Sequence, residues 1–81
     1  MADNSRQKQR FDHGQTVYVH WRKALYPAEY RGYDNFQREE SHRVYISASG
    51  GEEEVAADQI FGDYRQAKRA FPRATDHIQG I

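Results

Sequence analysis

Apolar and polar residues alternate over Thr16–Trp21, in the order Thr-Val-Tyr-Val-His-Trp. Val17 and Val19 fall on one face, Tyr18 and His20 on the other, and a period of two in β-branched and aromatic residues marks a half-buried strand. Residues 22–24 then make a short connection. A second strand is predicted over residues 25–33, with Ala28 and Tyr30 inward. Pro27 has no N–H to donate, so it belongs at a strand start, an edge or a bulge. Residues 34–42 are polar apart from Phe36 and read as a hairpin loop. Alternation resumes over residues 43–47, with Val44 and Ile46 inward. Gly50 and Gly51 can then take the positive φ angles of a tight turn. Residues 53–56 return as a short strand around Val55, and residues 57–61 read as one helical turn followed by a last strand through Ile60.

Beyond that point the period changes. Phe61, Tyr64, Ala67 or Lys68, and Phe71 recur at helical spacing, Asp63 is suited to cap the helix, and Pro72 ends it. A helix this short is marginal by itself, so Tyr64 and Phe71 must dock it. Short strands at regular spacing, joined by turns, predict a mostly β fold: a small five-stranded antiparallel barrel with a short C-terminal helix. Residues 1–10 lack periodicity and read as a disordered basic tail. The barrel is expected over residues 11–61, the helix within 62–72, and a flexible tail over 73–81.

Composition narrows the class. Eighty-one residues allow one domain, which at this size buries only about 60% of its unfolded surface. With no cysteine, neither a disulfide framework nor a thiolate zinc site can hold the fold. The six Tyr, four Phe and one Trp must therefore supply the core. No apolar run is long enough for a membrane span or a secretory signal, so an intracellular location, cytoplasmic or nuclear, is the expectation. The net charge is zero but unevenly spread. Basic ends (Arg6, Lys8 and Arg10; Arg65, Lys68, Arg69 and Arg73) flank an acidic middle that carries Glu39, Glu40, Glu52, Glu53, Glu54 and Asp58. An acidic surface of this kind can receive a Lys- or Arg-rich peptide.

Catalytic chemistry finds little support. His13, His20, His42 and His77 lack zinc-ligand spacing, so no metal or other cofactor is expected. Ser41 and His42 are adjacent and point oppositely in a strand, whereas a nucleophile and its base must face each other. Gly50-Gly51 lacks the lysine and the helix of a phosphate loop. A binding protein, not an enzyme, is predicted.

Four stretches carry a resemblance to a known family. They are GQTVYVHW (residues 14–21), LYPAEYRG (25–32), HRVYIS (42–47) and EEEVAADQI (52–60). Together they resemble the Tudor-like family, including chromo-barrel domains, whose fold is an SH3-like β-barrel. The resemblance spans residues 14–60 and implies a non-catalytic binding module that recognises a cationic peptide, methylated lysine or arginine included. A methylated ammonium sheds water easily and is held by aromatic faces, each worth about 0.5–2 kcal/mol. By position, Trp21 and Tyr26 match two cage aromatics. The other two positions fall near Ser47 and Glu53, neither of them aromatic, so Phe36, Tyr45 or Phe61 would have to complete the cage. Glu53 would be the charge partner at its rim. Set against this, Trp21 and Tyr26 could serve only to fill the end of a small barrel, and residues 52–54 could be a solvated hairpin face.

Two other functions remain open. Tyr18, His20, Arg22, Lys23, Tyr30, Arg31 and Tyr33 interleave rings with cations, as single-strand nucleic-acid binders do. Arg65, Lys68 and Arg69 could add phosphate contacts, although the acidic middle would repel a phosphate backbone crossing it. The third possibility is a structural adaptor within a larger complex.

Overall fold

The structure, a computed structural model, describes residues 11–36 and 39–78, and the side chains of 11–33 and 40–78. The tail expected over residues 1–10 lies outside the described residues. The elements in chain order are β1 (Thr16–Trp21), β2 (Ala24–Phe36), β3 (Glu39–Ile46), β4 (Gly51–Ala56), a 3-10 turn (Ala57–Gln59), β5 (Ile60–Phe61), α1 (Tyr64–Ala70) and β6 (Thr75–Asp76). The fold is mostly β. Its sheet has the order β4-β3-β2-β1-β5, and β6 pairs with β2. All ladders are antiparallel except β2 with β6.

Alternation decides what is buried. Val17, Val19, Ala28, Tyr30, Val44, Ile46, Val55 and Ile60 are each no more than 8% exposed and form one core with Phe11. Cross-strand register matches this face: Val17 opposes Ala28, Val19 opposes Tyr26, and Tyr30 opposes Val44. The β2–β3 register shifts between Tyr30 and Gly32. Arg31 is the extra residue of this bulge, which turns Tyr33 towards its partner His42. His42 is fully buried, and its Nδ1 shares a 2.8 Å hydrogen bond with the Tyr30 hydroxyl, as a polar group cut off from water must.

Two turns show opposite solutions to one problem. Gly50, at φ +83°, supplies the left-handed residue between β3 and β4 without steric cost. The two-residue turn between β1 and β2 instead uses Arg22 (φ +54°) and Lys23 (φ +65°). Positive φ at both positions matches the right-handed twist of a hairpin, and Asn-Gly is the usual sequence for it. Holding side-chain-bearing residues there costs about 1 kcal/mol or more each.

The helix covers the outer face of β1 and β5. Asp63 caps it by accepting from the Arg65 N–H at 2.7 Å. Tyr64 meets Tyr18 edge-on at 6.5 Å, and Phe71 lies flat on His20 at 3.7 Å. Ala24, Leu25 and Ala67 are buried outside the main cluster.

Three expectations are corrected. The barrel does not close through its ladders: among the described residues none joins β4 to β5, although β4 does approach β1. A sixth strand is also present. Second, the predicted loop over 34–42 is strand up to Phe36 and again from Glu39, paired from Tyr33↔His42 to Phe36↔Glu39. Backbone pairing needs no apolar side chain, so a polar ribbon resembles a loop in sequence. Third, the predicted tail contains β6, whose Thr75 and Asp76 pair with Ala24 and Leu25. The Tyr64 hydroxyl donates to Asp76 at 2.5 Å, Lys68 lies 3.6 Å from the same oxygen, and the His77 N–H donates to the Leu25 carbonyl at 3.0 Å. Among the described residues no helix is long and apolar enough to cross a membrane.

Candidate functional site

Pro27 is where the site begins. At this residue β2 has β1 on one side (Tyr18↔Pro27), while its pairing with β3 starts two residues later at Glu29. Pro27 therefore deprives no strand partner of a hydrogen bond, and the gap beside it leaves a depression. One part, of about 300 Å³, is lined by Tyr26, Pro27, Ser47, Ala48 and His77. A second, of about 240 Å³, shares Pro27 and Ser47 and extends to Thr16, Glu29 and Tyr45.

Trp21 and Tyr26 do come together. Their rings stand 5.6 Å apart at 66°, half-buried against the core. Tyr26 is also stacked by His77 at 4.7 Å with planes 6° apart. His77 was missed by sequence reasoning, because a two-residue strand offers no period to detect. The Arg22 guanidinium lies 4.7 Å over the Trp21 ring, and that of Arg31 lies 5.5 Å over the Tyr45 ring. Arg31 is further held by Glu29 at 3.8 Å and Glu52 at 3.9 Å. Both carboxylates stand opposite Tyr45 in the ladders.

The remaining candidates lie elsewhere. Glu53 opposes Val44 and lines neither part of the depression. Phe36 is ten residues along β2 from Tyr26, roughly 30 Å of strand; its side chain lies outside the described residues. Phe61 packs on Phe71 at 6.0 Å. Of the six cations singled out for nucleic acid, Arg22 and Arg31 sit on rings and Lys68 pairs with Asp76. Lys23, Arg65 and Arg69 make no ion pair with any described residue. Ser41 and His42 occupy successive β3 positions and so opposite faces. Among the described residues no three His, Asp or Glu side chains gather as metal ligands.

What this geometry offers is recognition by shape and charge: electron-rich ring faces, a prolyl floor and a carboxylate at one end. Compared with protein-family models, with curated proteins and with solved structures, the chain matches none.

Proposed function

We propose that this protein is a non-catalytic binding module of the Tudor-like kind, its curled sheet a variant of the SH3-like barrel. In this proposal the depression from Tyr26 across Pro27 to Tyr45, with Trp21 packed edge-on to Tyr26 beside it, takes a peptide with a cationic side chain. The observation that carries it is the pair of guanidinium groups already seated on Trp21 and Tyr45. The rings around this depression act as cation acceptors within the chain itself.

Relative strengths choose between the two ends. Arg31 is tied by a ring and two carboxylates, whereas Arg22 is exposed and, among the described residues, is held by the Trp21 ring alone. An exposed cation–π contact is worth only about 0.5–1 kcal/mol, so a partner's lysine or arginine displaces Arg22 at little cost. Methylation favours the partner further, because a methylated ammonium is less strongly hydrated. Glu29, which lines the Tyr45 part of the depression, supplies a carboxylate at that end. With so few strong contacts, affinity should be micromolar or weaker, about 8 kcal/mol at most.

The test is calorimetric titration with a trimethyl-lysine peptide. Trp21→Ala should abolish binding. Arg22→Ala, by removing the internal competitor, should tighten it by roughly two- to fivefold, the equivalent of the contact it frees. Binding that survives Trp21→Ala and Tyr26→Ala together rules the site out.

A further inference from the structure

A second pocket lies where the β1–β2 turn meets the end of α1. It measures about 350 Å³, and its lining includes His20, Lys23, Phe71, Pro72, Arg73 and Ala74. Inside it the His20 ring lies flat on Phe71, 3.7 Å away with planes 1° apart, and Pro72 adds an apolar surface beside them. The His20 ring is fixed in turn. Gln59 Nε2 donates to Asp58 at 3.1 Å, so Gln59 Oε1 must be the acceptor facing His20 Nδ1 at 2.7 Å. The walls carry Lys23 and Arg73, and no carboxylate lines the pocket. We propose that this pocket binds single-stranded nucleic acid, with a phosphate between Lys23 and Arg73 and a base against the Phe71–Pro72 floor.

Two features of the chain set this site apart from an ordinary solvated surface. The left-handed turn holds Lys23 where glycine would fold with less strain, and strain of this kind tends to sit where a side chain is needed for function. Arg65 and Arg69 are exposed and one helical turn apart, a spacing at which like charges repel. Lys23, Arg65, Arg69 and Arg73 have no ion-pair partner among the described residues. A row of unneutralised cations leading away from one pocket suits a polymer with repeating phosphates better than a single anion. Glu52, Glu53 and Glu54 are on β4 and none lines the pocket; Asp58, two hydrogen bonds from His20, is held by Gln59 at 3.1 Å. A pocket of this size is at the lower end of the range for small ligands, and stacking on its floor is tolerant of base identity.

The experiment is an amide NMR titration of the full chain, at low salt, with a short oligothymidylate, and in parallel with a glutamate-rich peptide of equal charge. Shifts with the oligonucleotide should centre on His20, Lys23 and residues 69–74. Affinity should fall log-linearly with salt, and Lys23→Gly or Arg73→Gln should each reduce that slope by about 0.7, the value for one phosphate contact on a single strand. Lys23→Gly relieves the turn, so weaker binding by this variant cannot come from unfolding, which a thermal melt verifies. Trp21→Ala should leave oligonucleotide binding intact. The proposal fails if the oligonucleotide produces no shifts or shifts centred elsewhere, if the slopes do not change, or if the acidic peptide binds the pocket as tightly.

Discussion

Side chains such as Val17, Val19, Val44 and Ile46 were legible because a period of two leaves one face for the core. The conformations of Arg22 and Lys23 were not, since neither residue type marks a left-handed turn. That turn yields a direct prediction: Lys23→Gly should stabilise the domain by about 1 kcal/mol, raising Tm by roughly 4–8 °C in a chain of this size. An unchanged or lower Tm would show that the turn is unstrained. A second residue-scale prediction concerns Tyr30. Tyr30→Phe keeps the ring and removes the hydroxyl bonded to buried His42, and losing a partner inside a core costs about 1–3 kcal/mol. Denaturant unfolding should show a lower midpoint with an unchanged m-value; an unaltered midpoint would mean that the bond contributes nothing.

At the scale of elements, strands with one buried face were readable and those without were not. The β2–β3 ribbon beyond Tyr33 has a polar sequence, and β6 has only two residues, so neither produced a pattern. The helix was legible from Phe61, Tyr64, Ala67 and Phe71 with Asp63 ahead of them, but what locks it was not. Asp76 receives the Tyr64 hydroxyl and the Ile78 N–H, and lies beside Lys68. Seven helical residues cannot persist without such docking. Asp76→Ala should therefore speed hydrogen exchange of the amides at the C-terminal end of α1, with β1–β3 amides little changed. Equal acceleration throughout would show that the helix and sheet open as one unit.

For the molecule as a whole, one small core carries the fold. Val44 is fully buried between β2 and β4, and Val44→Asp should abolish cooperative unfolding, because an unpaired buried charge exceeds what a total stability of about 5–15 kcal/mol can absorb. Part of the candidate geometry was legible: Trp21 and Tyr26 do meet, and Tyr26 and Tyr45 line adjoining parts of one depression. His77 and Glu29 were hidden, since their roles depend on β6 and on the gap beside Pro27. The central claim, that this surface holds a cation by its aromatic faces, has a direct probe in Trp21, the one tryptophan of the chain. Its fluorescence should be followed during titration with a trimethyl-lysine peptide and with the neutral isostere in which carbon replaces the ammonium nitrogen. A cation held by ring faces predicts a saturating change with the charged peptide and binding at least several-fold weaker with the isostere. Equal binding of the two peptides, or no change in Trp21 emission while the charged peptide binds, would contradict it.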